Sequence, residues 1–286
     1  MDFASLGLSE NIVKAVNEAG YTDPTSVQQA AIPAALAGKD LVVSSQTGSG
    51  KTAAFMLPSL ERLTTEPTIK ARGPRVLVLT PTRELAVQVT EATKRYGKNL
   101  RYAKAVSVVG GMPYPVQNKL LSSPYEILVA TPGRLMDQMN SGRIDFARLE
   151  ILILDEADRM LDMGFVDDIE AIVAKLPATR QTLFFSATVD GQVAADSARA
   201  GVGAGLELHG RRLSAHGRAV GGPAGRRRRR RWHDRRAAGR AQSAAARAGV
   251  QQRQSVVAAG RRSDARRAAP GPRSAAGASS ATAPPS

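Results

Sequence analysis

The stretch LVVSSQTGSGKTAAF at residues 41–55 joins a short apolar run to a turn rich in glycine and serine, and then to helix-forming residues. Glycines let the backbone curl so that successive N–H groups point inward, and the following helix adds partial positive charge at its first turn. A turn of this kind between a strand and a helix binds nucleotide phosphates. An ordinary glycine-serine turn has no need of Lys51 followed by Thr52, so the stretch favours a nucleotide site over a structural turn.

Two side chains of this phosphate loop have chemical roles in such a site. Lys51 reaches the β- and γ-phosphates, and the hydroxyl of Thr52 is a ligand for Mg²⁺. The usual motif begins with glycine, whereas this chain has Ser45. The phosphate loop, which we expect to bind the nucleotide, consists of Ser45, Gln46, Thr47, Gly48, Ser49, Gly50, Lys51 and Thr52.

Six short apolar runs, of which the first precedes the phosphate loop, alternate with helix-forming stretches over about the first 195 residues. Strands that are apolar on both faces are typical of a parallel sheet covered by helices. The alternation predicts right-handed βαβ units in an open α/β sheet, with catalytic loops beyond the carboxyl ends of the strands. The predicted strands span residues 41–45, 75–80, 105–109, 126–131, 151–156 and 182–188.

The fifth run, ILILDEAD at residues 151–158, ends in carboxylates at the tip of a buried strand. We expect Asp155 to hold Mg²⁺, directly or through water, and Glu156 to orient and deprotonate the attacking water. Acids at the end of a buried strand are costly unless a cation or hydrogen-bond donors compensate them. A solvated strand exit explains either acid alone, but it explains the pair less well once a phosphate loop is present. Asp158 is better suited to internal coupling than to metal binding.

These segments resemble the DEAD-box RNA helicases. The tetrad at residues 155–158 is the name motif of that family, and GYTDPTSVQ at residues 20–28 is similar to its adenine-reading segment. The resemblance implies a RecA-like P-loop fold, with ATP and Mg²⁺ as cofactors and with hydrolysis that depends on the acid pair and Lys51. Adenine would be read by Gln28, whose amide offers one donor and one acceptor. The aromatic residues implied beside the base are Tyr21 and Phe3.

Three further segments resemble the RNA-contacting motifs of the family. The resemblance implies that helix N-termini and glycine N–H groups lie beside the RNA backbone, which makes the contacts independent of RNA sequence. Taken singly, a Thr–Pro pair after a strand is an ordinary helix start. The residues implied to bind RNA are Pro81, Thr82, Arg83, Gly110, Gly111, Thr131, Gly133 and Arg134.

The sequence Ser-Ala-Thr at residues 186–188 resembles the motif that links nucleotide state to RNA strand separation. The resemblance implies that Ser186 and Thr188 communicate with Asp158, and their hydroxyls would then bond its carboxylate. Capping of a strand end is the simpler role for two such hydroxyls.

The composition changes abruptly after about residue 195. Residues 1–200 carry a net charge of −1, whereas residues 201–286 contain 19 Arg, no Lys and three acidic residues, a net charge of +16. Ala, Arg and Gly fill 53 of those 86 positions, so few large apolar side chains remain to form a core. We therefore predict three regions: a region at 1–29 with the adenine-reading segment, which the family calls the Q motif, an ATP-binding domain at 30–195 and a disordered basic tail at 196–286.

Six residue types that occur in residues 1–200 are missing from residues 201–286: Ile, Phe, Tyr, Met, Lys and Asn. Their codons all begin with two A/T bases, so their joint absence favours GC-rich DNA read out of frame from near residues 192–200. Nothing after residue 195 resembles the second RecA-like domain of the family, which supplies arginines to the transferring phosphate. We therefore expect RNA unwinding to be lost, and a non-catalytic ATP- and RNA-binding fragment is the alternative function.

Other classes of function are excluded by composition. The absence of cysteine excludes disulfide frameworks, Cys-ligated metals and cysteine nucleophiles. No apolar run approaches the length of a membrane helix, and no signal peptide is visible, so we expect a cytoplasmic protein that binds RNA and no membrane. A P-loop kinase or a transporter ATPase would leave Gln28 and residues 131–134 and 186–188 without a role. The sequence leaves the RNA target and the oligomeric state open.

Overall fold

The six apolar runs form the strands of one parallel sheet, as predicted. The computed structural model describes residues 2–187, 206–209 and 212–215, the last two ranges by their backbone alone. Five strands lie within the predicted runs, and the sixth begins one residue earlier. The strands are β1 (Leu41–Ser44), β2 (Val76–Leu79), β3 (Ala105–Val108), β4 (Ile127–Ala130), β5 (Ile151–Leu154) and β6 (Gln181–Ser186).

The order of these strands brings the phosphate loop and the acid pair to one edge. It runs β3-β4-β2-β5-β6-β1, and every adjacent pair is parallel. Strand β6 lies between β1 and β5, with Val43 opposite Phe185 and Leu154 opposite Phe184. Because the carboxyl ends of parallel strands share an edge, the loop that follows β1 and the acids that follow β5 are separated by a single strand.

Helices cover both faces of the sheet. Alternate strand residues point to opposite faces, so Val78 packs with the first four helices and Leu77 with the last four. In the described part of the chain, none of the helices has the length and apolar content to span a bilayer. After a short 3₁₀ turn at Ala4–Leu6, the helices are α1 (Glu10–Glu18), α2 (Ser26–Leu36), α3 (Lys51–Leu63), α4 (Arg83–Tyr96), α5 (Tyr114–Ser122), α6 (Pro132–Asn140), α7 (Ala157–Asp162) and α8 (Val166–Val173).

A buried ion pair fastens the amino-terminal edge of the sheet. Arg75, with 3% of its side chain exposed, donates from Nε to Glu150 Oε1 at 2.9 Å and from Nη2 to Oε2 at 3.2 Å. The more exposed Arg62 also donates to this carboxylate. Burial by itself would raise the pKa of Glu150, but the hydrogen bonds and charge of Arg75 hold it below its usual value. The ion pair therefore contributes to the fold at the edge opposite the phosphate loop.

The sheet continues beyond the six predicted strands. Strand β7 (Leu206–His209) pairs in parallel with β1, and β8 (Arg212–Ala215) pairs antiparallel with β7. These eight residues fall in the stretch that the sequence assigned to the basic tail, and their backbone adds two strands to the sheet next to β1. Leucines at 206 and 208 alternate with polar residues, a strand pattern that the Arg, Ala and Gly content of the surrounding sequence obscured. The rest of the predicted tail lies outside the described residues.

Candidate nucleotide and RNA-binding site

The phosphate loop closes on itself between β1 and α3. Gly48 and Gly50 have φ angles of +80° and +90°, the left-handed region that glycine adopts at little cost. The hydroxyl of Ser45 donates to that of Ser49, which gives a structural role to the serine that replaces the usual first glycine. The N–H of Ser45 also donates to the carbonyl of Ser186 at 3.0 Å, so the start of the loop is fixed to β6.

Gln28 is tied to the last glycine of the loop. Its Oε1 accepts from the N–H of Thr25 at 2.9 Å within a capping box that starts α2, and its Nε2 donates to the carbonyl of Gly50 at 3.1 Å. A Cβ on Gly50 would lie 2.4 Å from that Nε2 and would have to displace the amide, and the φ of +90° already favours glycine. The Thr-x-x-Gln spacing of the capping box is visible in the sequence, but the contact with Gly50 depends on tertiary structure.

Lys51 and Asp155 present buried charges at the shared edge of the sheet. Their exposed fractions are 7% and 5%, and Lys51 Nζ and Asp155 Oδ1 have no hydrogen-bond partner among the described residues. Burial raises the pKa of Asp155 to about 6, although the charge of Lys51 acts in the opposite direction. Buried charged groups without partners are costly. The pair therefore fits a ligand that carries both anionic oxygens and a cation.

Glu156 leaves β5 through a strained backbone conformation. Its φ of +52° is the one positive value outside glycine within the described residues. For a residue with a Cβ this conformation costs roughly 1–2 kcal/mol and is typical of functional sites. The carboxylate is mostly buried beside Asp155 and lies 3.4 Å from Arg159 Nη1. The turn thus directs a second acid toward the edge that carries the phosphate loop.

Asp158 connects the acidic turn to the end of β6. Its Oδ2 accepts from the N–H of Ala187 at 3.1 Å, and its Oδ1 accepts from the N–H of Arg159 at 3.0 Å. The hydroxyl of Ser186 is fully buried and makes no hydrogen bond within the described residues. The acidic turn is therefore bonded to the end of β6 through the backbone of Ala187 and not through the hydroxyl of Ser186. Thr188 lies outside the described residues.

The three segments implied to bind RNA meet at the same edge of the sheet. Thr82 accepts from the N–H of Leu85 and caps α4, whereas Thr131 precedes α6 without a side-chain cap. Arg83 Nη1 lies 3.0 Å from the position that a Cβ on Gly111 would occupy. Arg134 Nη1 donates to the carbonyl of Met112, the residue that follows Gly111, at 2.9 Å. Two arginines thus lie next to the glycine loop. The other residues expected here are Pro81, Gly110 and Gly133.

Comparison with known proteins agrees with this geometry. The family model for DEAD/DEAH box helicases matches residues 25–197. The chain belongs to the DEAD/DEAH box helicase family. It is 49% identical over 187 residues to the ATP-dependent RNA helicase DeaD of Escherichia coli K12, a match that covers 65% of this chain and 29% of DeaD.

Other members of the family cover the same part of the chain. The ATP-dependent RNA helicase SrmB of Escherichia coli K12 is 44% identical over 196 residues, which are 68% of this chain and 44% of SrmB. The crystal structure of a DEAD box protein from Methanococcus jannaschii superposes with a TM-score of 0.64 and a sequence identity of 36%. The superposition covers 69% of this chain and 53% of that one. The chain therefore spans less than half of these two curated relatives, DeaD and SrmB.

The two aromatic residues implied beside adenine have different surroundings in this DEAD/DEAH box chain. Phe3 is 1% exposed and packs within the hydrophobic core, so its ring is occupied by core contacts. Tyr21 is 39% exposed and meets the ring of Tyr96 edge-on, with the ring centres 6.1 Å apart. Of the two, Tyr21 has surface available to a ligand.

A cavity of about 720 Å³ lies away from the family motifs. Its lining includes Asp40, Glu150 and Gln181, which stand at the amino-terminal ends of β1, β5 and β6. No residue of the phosphate loop or the acidic turn lines it. The cavity is therefore separate from the nucleotide site.

Proposed function

We propose that the chain is the ATP-binding half of an ATP-dependent RNA helicase motor, and that it binds ATP with Mg²⁺ between the phosphate loop and the acidic turn. The observation that carries this proposal is a pair of buried groups that lack a hydrogen-bond partner within the described residues, Lys51 Nζ and Asp155 Oδ1, at the shared edge of the sheet. A bound triphosphate with its cation would compensate both charges at once.

Each polar group at this edge then has a task. The ammonium of Lys51 binds the β- and γ-phosphates, and the backbone N–H groups of the phosphate loop hold the same oxygens. The Thr52 hydroxyl and the Asp155 carboxylate would hold Mg²⁺, which when bound neutralises phosphate charge. Glu156 orients the attacking water and accepts its proton. Gln28, at the start of α2, hydrogen-bonds the adenine base. Because Gln28 is also bonded to Gly50, binding of adenine affects the geometry of the phosphate loop.

The remaining motifs connect the nucleotide to RNA in this proposal. Asp158 accepts from the N–H of Ala187, so a shift of the acidic turn moves the end of β6. The glycine loop at Gly111, with Arg83 and Arg134 next to it, supplies N–H donors and positive charge for the RNA backbone. Contacts of this kind do not depend on base identity. RNA as the partner and the cytoplasm as the location are parts of the same proposal.

A titration of a fluorescent ATP analogue with Mg²⁺ tests nucleotide binding. We expect Lys51→Ala to weaken binding at least tenfold, since a hydrogen bond to a charged group is worth about 1.5–3 kcal/mol. Lys39→Ala is the matched control, because Lys39 is an exposed lysine at the amino end of β1. Equal losses in the two variants, or no loss in Lys51→Ala, would contradict the proposed site.

A second candidate function is a nucleotide- and RNA-binding fragment without turnover, since the chain matches 29% of DeaD and 44% of SrmB and the arginines that the family supplies from its second domain are not among the described residues. Arginines supplied from another domain are worth about 10³–10⁵ in the rate of phosphoryl transfer. If they are missing, the 286-residue chain binds ATP but hydrolyses it near the background rate. An RNA-stimulated ATPase assay separates the two candidates, and addition of a second helicase domain from a relative tests whether turnover returns.

A further inference from the structure

Tyr114 is an exposed aromatic side chain beside the RNA segments, and none of the family motifs includes it. It is the first residue of α5, three positions after Gly111, and 47% of its surface is exposed. A single exposed apolar residue is common on proteins and needs no function. The contacts that fix this ring are what distinguish it.

The ring of Tyr114 is held on one face and at its hydroxyl. The guanidinium of Arg134 lies over the ring, 4.3 Å from its centre. The hydroxyl donates to Asp137 Oδ2 at 2.8 Å, a bond that raises the pKa of Tyr114. Asp137 also lies 3.7 Å from Arg134 Nε, so the three side chains form a closed group. The orientation of the ring is therefore set before any ligand arrives.

The exposed part of Tyr114 lies next to the expected path of the RNA backbone. Because Arg134 covers one face of the ring, we infer that the exposed surface belongs to the opposite face and the ring edge. Arg134 also donates to the carbonyl of Met112, which follows Gly111, so the ring and the glycine loop are joined through one guanidinium. A phosphate bound by the loop and Arg134 would have its base one ribose away, within reach of the ring.

We propose that Tyr114 is a stacking platform for one nucleobase of the bound RNA strand. This inference rests on the proposed binding of RNA by the domain and adds a base contact to an interface of backbone contacts. Every base has a π-face, so stacking adds affinity without sequence preference. Arg134 then has two roles, as a donor toward phosphate and as the support behind the ring.

Tyr102 provides a matched control within the same chain. It is also an exposed tyrosine, at 61%, and it also has an arginine near its ring, Arg101 at 5.5 Å. It precedes β3 and therefore lies at the amino-terminal edge of the parallel strands, away from the RNA segments. A general loss of exposed aromatic surface would act equally at both positions, whereas a stacking platform acts only at Tyr114.

The experiment measures affinities of the 286-residue chain for a single-stranded oligoribonucleotide and for an abasic oligomer of the same length, by fluorescence anisotropy. The readout is the ratio of the two dissociation constants, because charge contacts from the basic residues contribute to both ligands. All variants carry Trp232→Ala, which removes the one tryptophan of the chain as a competing stacking residue. Circular dichroism melting checks that each variant is folded.

The ratio decides the inference. We expect Tyr114→Ala to lower the preference for base-bearing RNA by about fivefold or more, and Tyr114→Phe and Tyr102→Ala to retain it. An unchanged ratio in Tyr114→Ala would overturn the stacking role, including the case in which both affinities fall equally because Arg134 has lost its support. Arg134→Ala tests the proposed function separately: loss of affinity for both oligomers supports backbone contacts at this edge, and no loss for either contradicts them.

Discussion

The side-chain amide of Gln28 donates to the carbonyl of Gly50 at 3.1 Å and thereby joins the start of α2 to the phosphate loop. The same amide completes the capping box with Thr25, so its orientation is fixed by the helix it starts. Gln28 is 2% exposed, which leaves little room for any other side chain. The residue implied to read adenine therefore also sets the shape of the loop that holds the phosphates.

Gln28→Glu tests this double role. The substitution replaces the Nε2 donor with a carboxylate oxygen that faces the carbonyl of Gly50, and a buried group left without its partner costs about 1–3 kcal/mol. We expect the affinity for a fluorescent ATP analogue to fall at least about tenfold. Gln29→Glu is the control, because Gln29 is exposed and bonds the carbonyl of Pro24. Unaltered ATP affinity in Gln28→Glu would show that the loop does not depend on this bond.

Gly50→Ala tests the close approach between the loop and α2. A Cβ there would lie 2.4 Å from Gln28 Nε2, and the φ of +90° is unfavourable for alanine, so we expect loss of nucleotide binding. Gly142→Ala is the control, because Gly142 has a φ of +69° and no atom within 4 Å of its hypothetical Cβ. It should lose about 1–2 kcal/mol of stability and keep ATP affinity. Retention of ATP binding in Gly50→Ala would contradict the importance of the close contact between Gly50 and Gln28.

The sequence predicted the sheet well because its strands are buried on both faces and therefore read as continuous apolar runs. It also placed the phosphate loop and the acid pair at one edge, since parallel strands require this. It missed β7 and β8, where an alternating pattern of only four residues lies within a stretch dominated by Arg, Ala and Gly. Four residues are too few for a pattern to identify a strand, and β1, which pairs with β7, is distant in sequence.

The side chains of the site were harder to predict than the sheet. The bond from Gln28 to Gly50 and the ring of Tyr114 over Arg134 join residues more than 15 positions apart, so periodicity carries no information about them. We expected the hydroxyl of Ser186 to donate to Asp158, but the donor at the end of β6 is the N–H of Ala187. Phe3, implied to lie beside adenine, is 1% exposed in the core, and its contact with the base stays a prediction.

Asp155→Asn should stabilise the fold in the absence of ligand. Burial raises the pKa of Asp155 from 3.8 to about 6, so between these values the unfolded chain loses its proton before the folded one. Stability then falls as pH rises through that window, by on the order of 2 kcal/mol. We expect thermal melting in EDTA to show a gain for Asp155→Asn at pH 7 that shrinks toward pH 4. A gain of equal size at both pH values would show that burial of the charged Asp155 carboxylate is not the cause.

Glu150→Gln should destabilise the fold without changing the nucleotide site. The substitution removes the charge that pairs with Arg75, which is 3% exposed, and an uncompensated buried charge costs about 3–5 kcal/mol. Because the pKa of Glu150 is lowered, its contribution is present above the ordinary value of 4.5 and is lost as pH falls below it. Chemical unfolding at pH 7 measures the loss. ATP affinity, measured at denaturant concentrations below the unfolding transition, should be unchanged. A loss of ATP affinity alongside the loss of stability would contradict the separation of the two edges of the sheet.

The central claim is that Lys51 and Asp155 bind the same magnesium nucleotide, and a double-mutant cycle on ATP affinity tests it most directly. Affinities of the wild type, Lys51→Ala, Asp155→Asn and the double variant are measured by isothermal titration with Mg²⁺ and again with EDTA. We predict a coupling of about 0.5–3 kcal/mol between the two substitutions in Mg²⁺, and a smaller effect of Mg²⁺ on affinity once Asp155 is replaced, because Thr52 is then the one proposed side-chain ligand left. Additive losses, together with an Asp155→Asn variant that responds to Mg²⁺ as strongly as the wild type, would contradict a shared ligand.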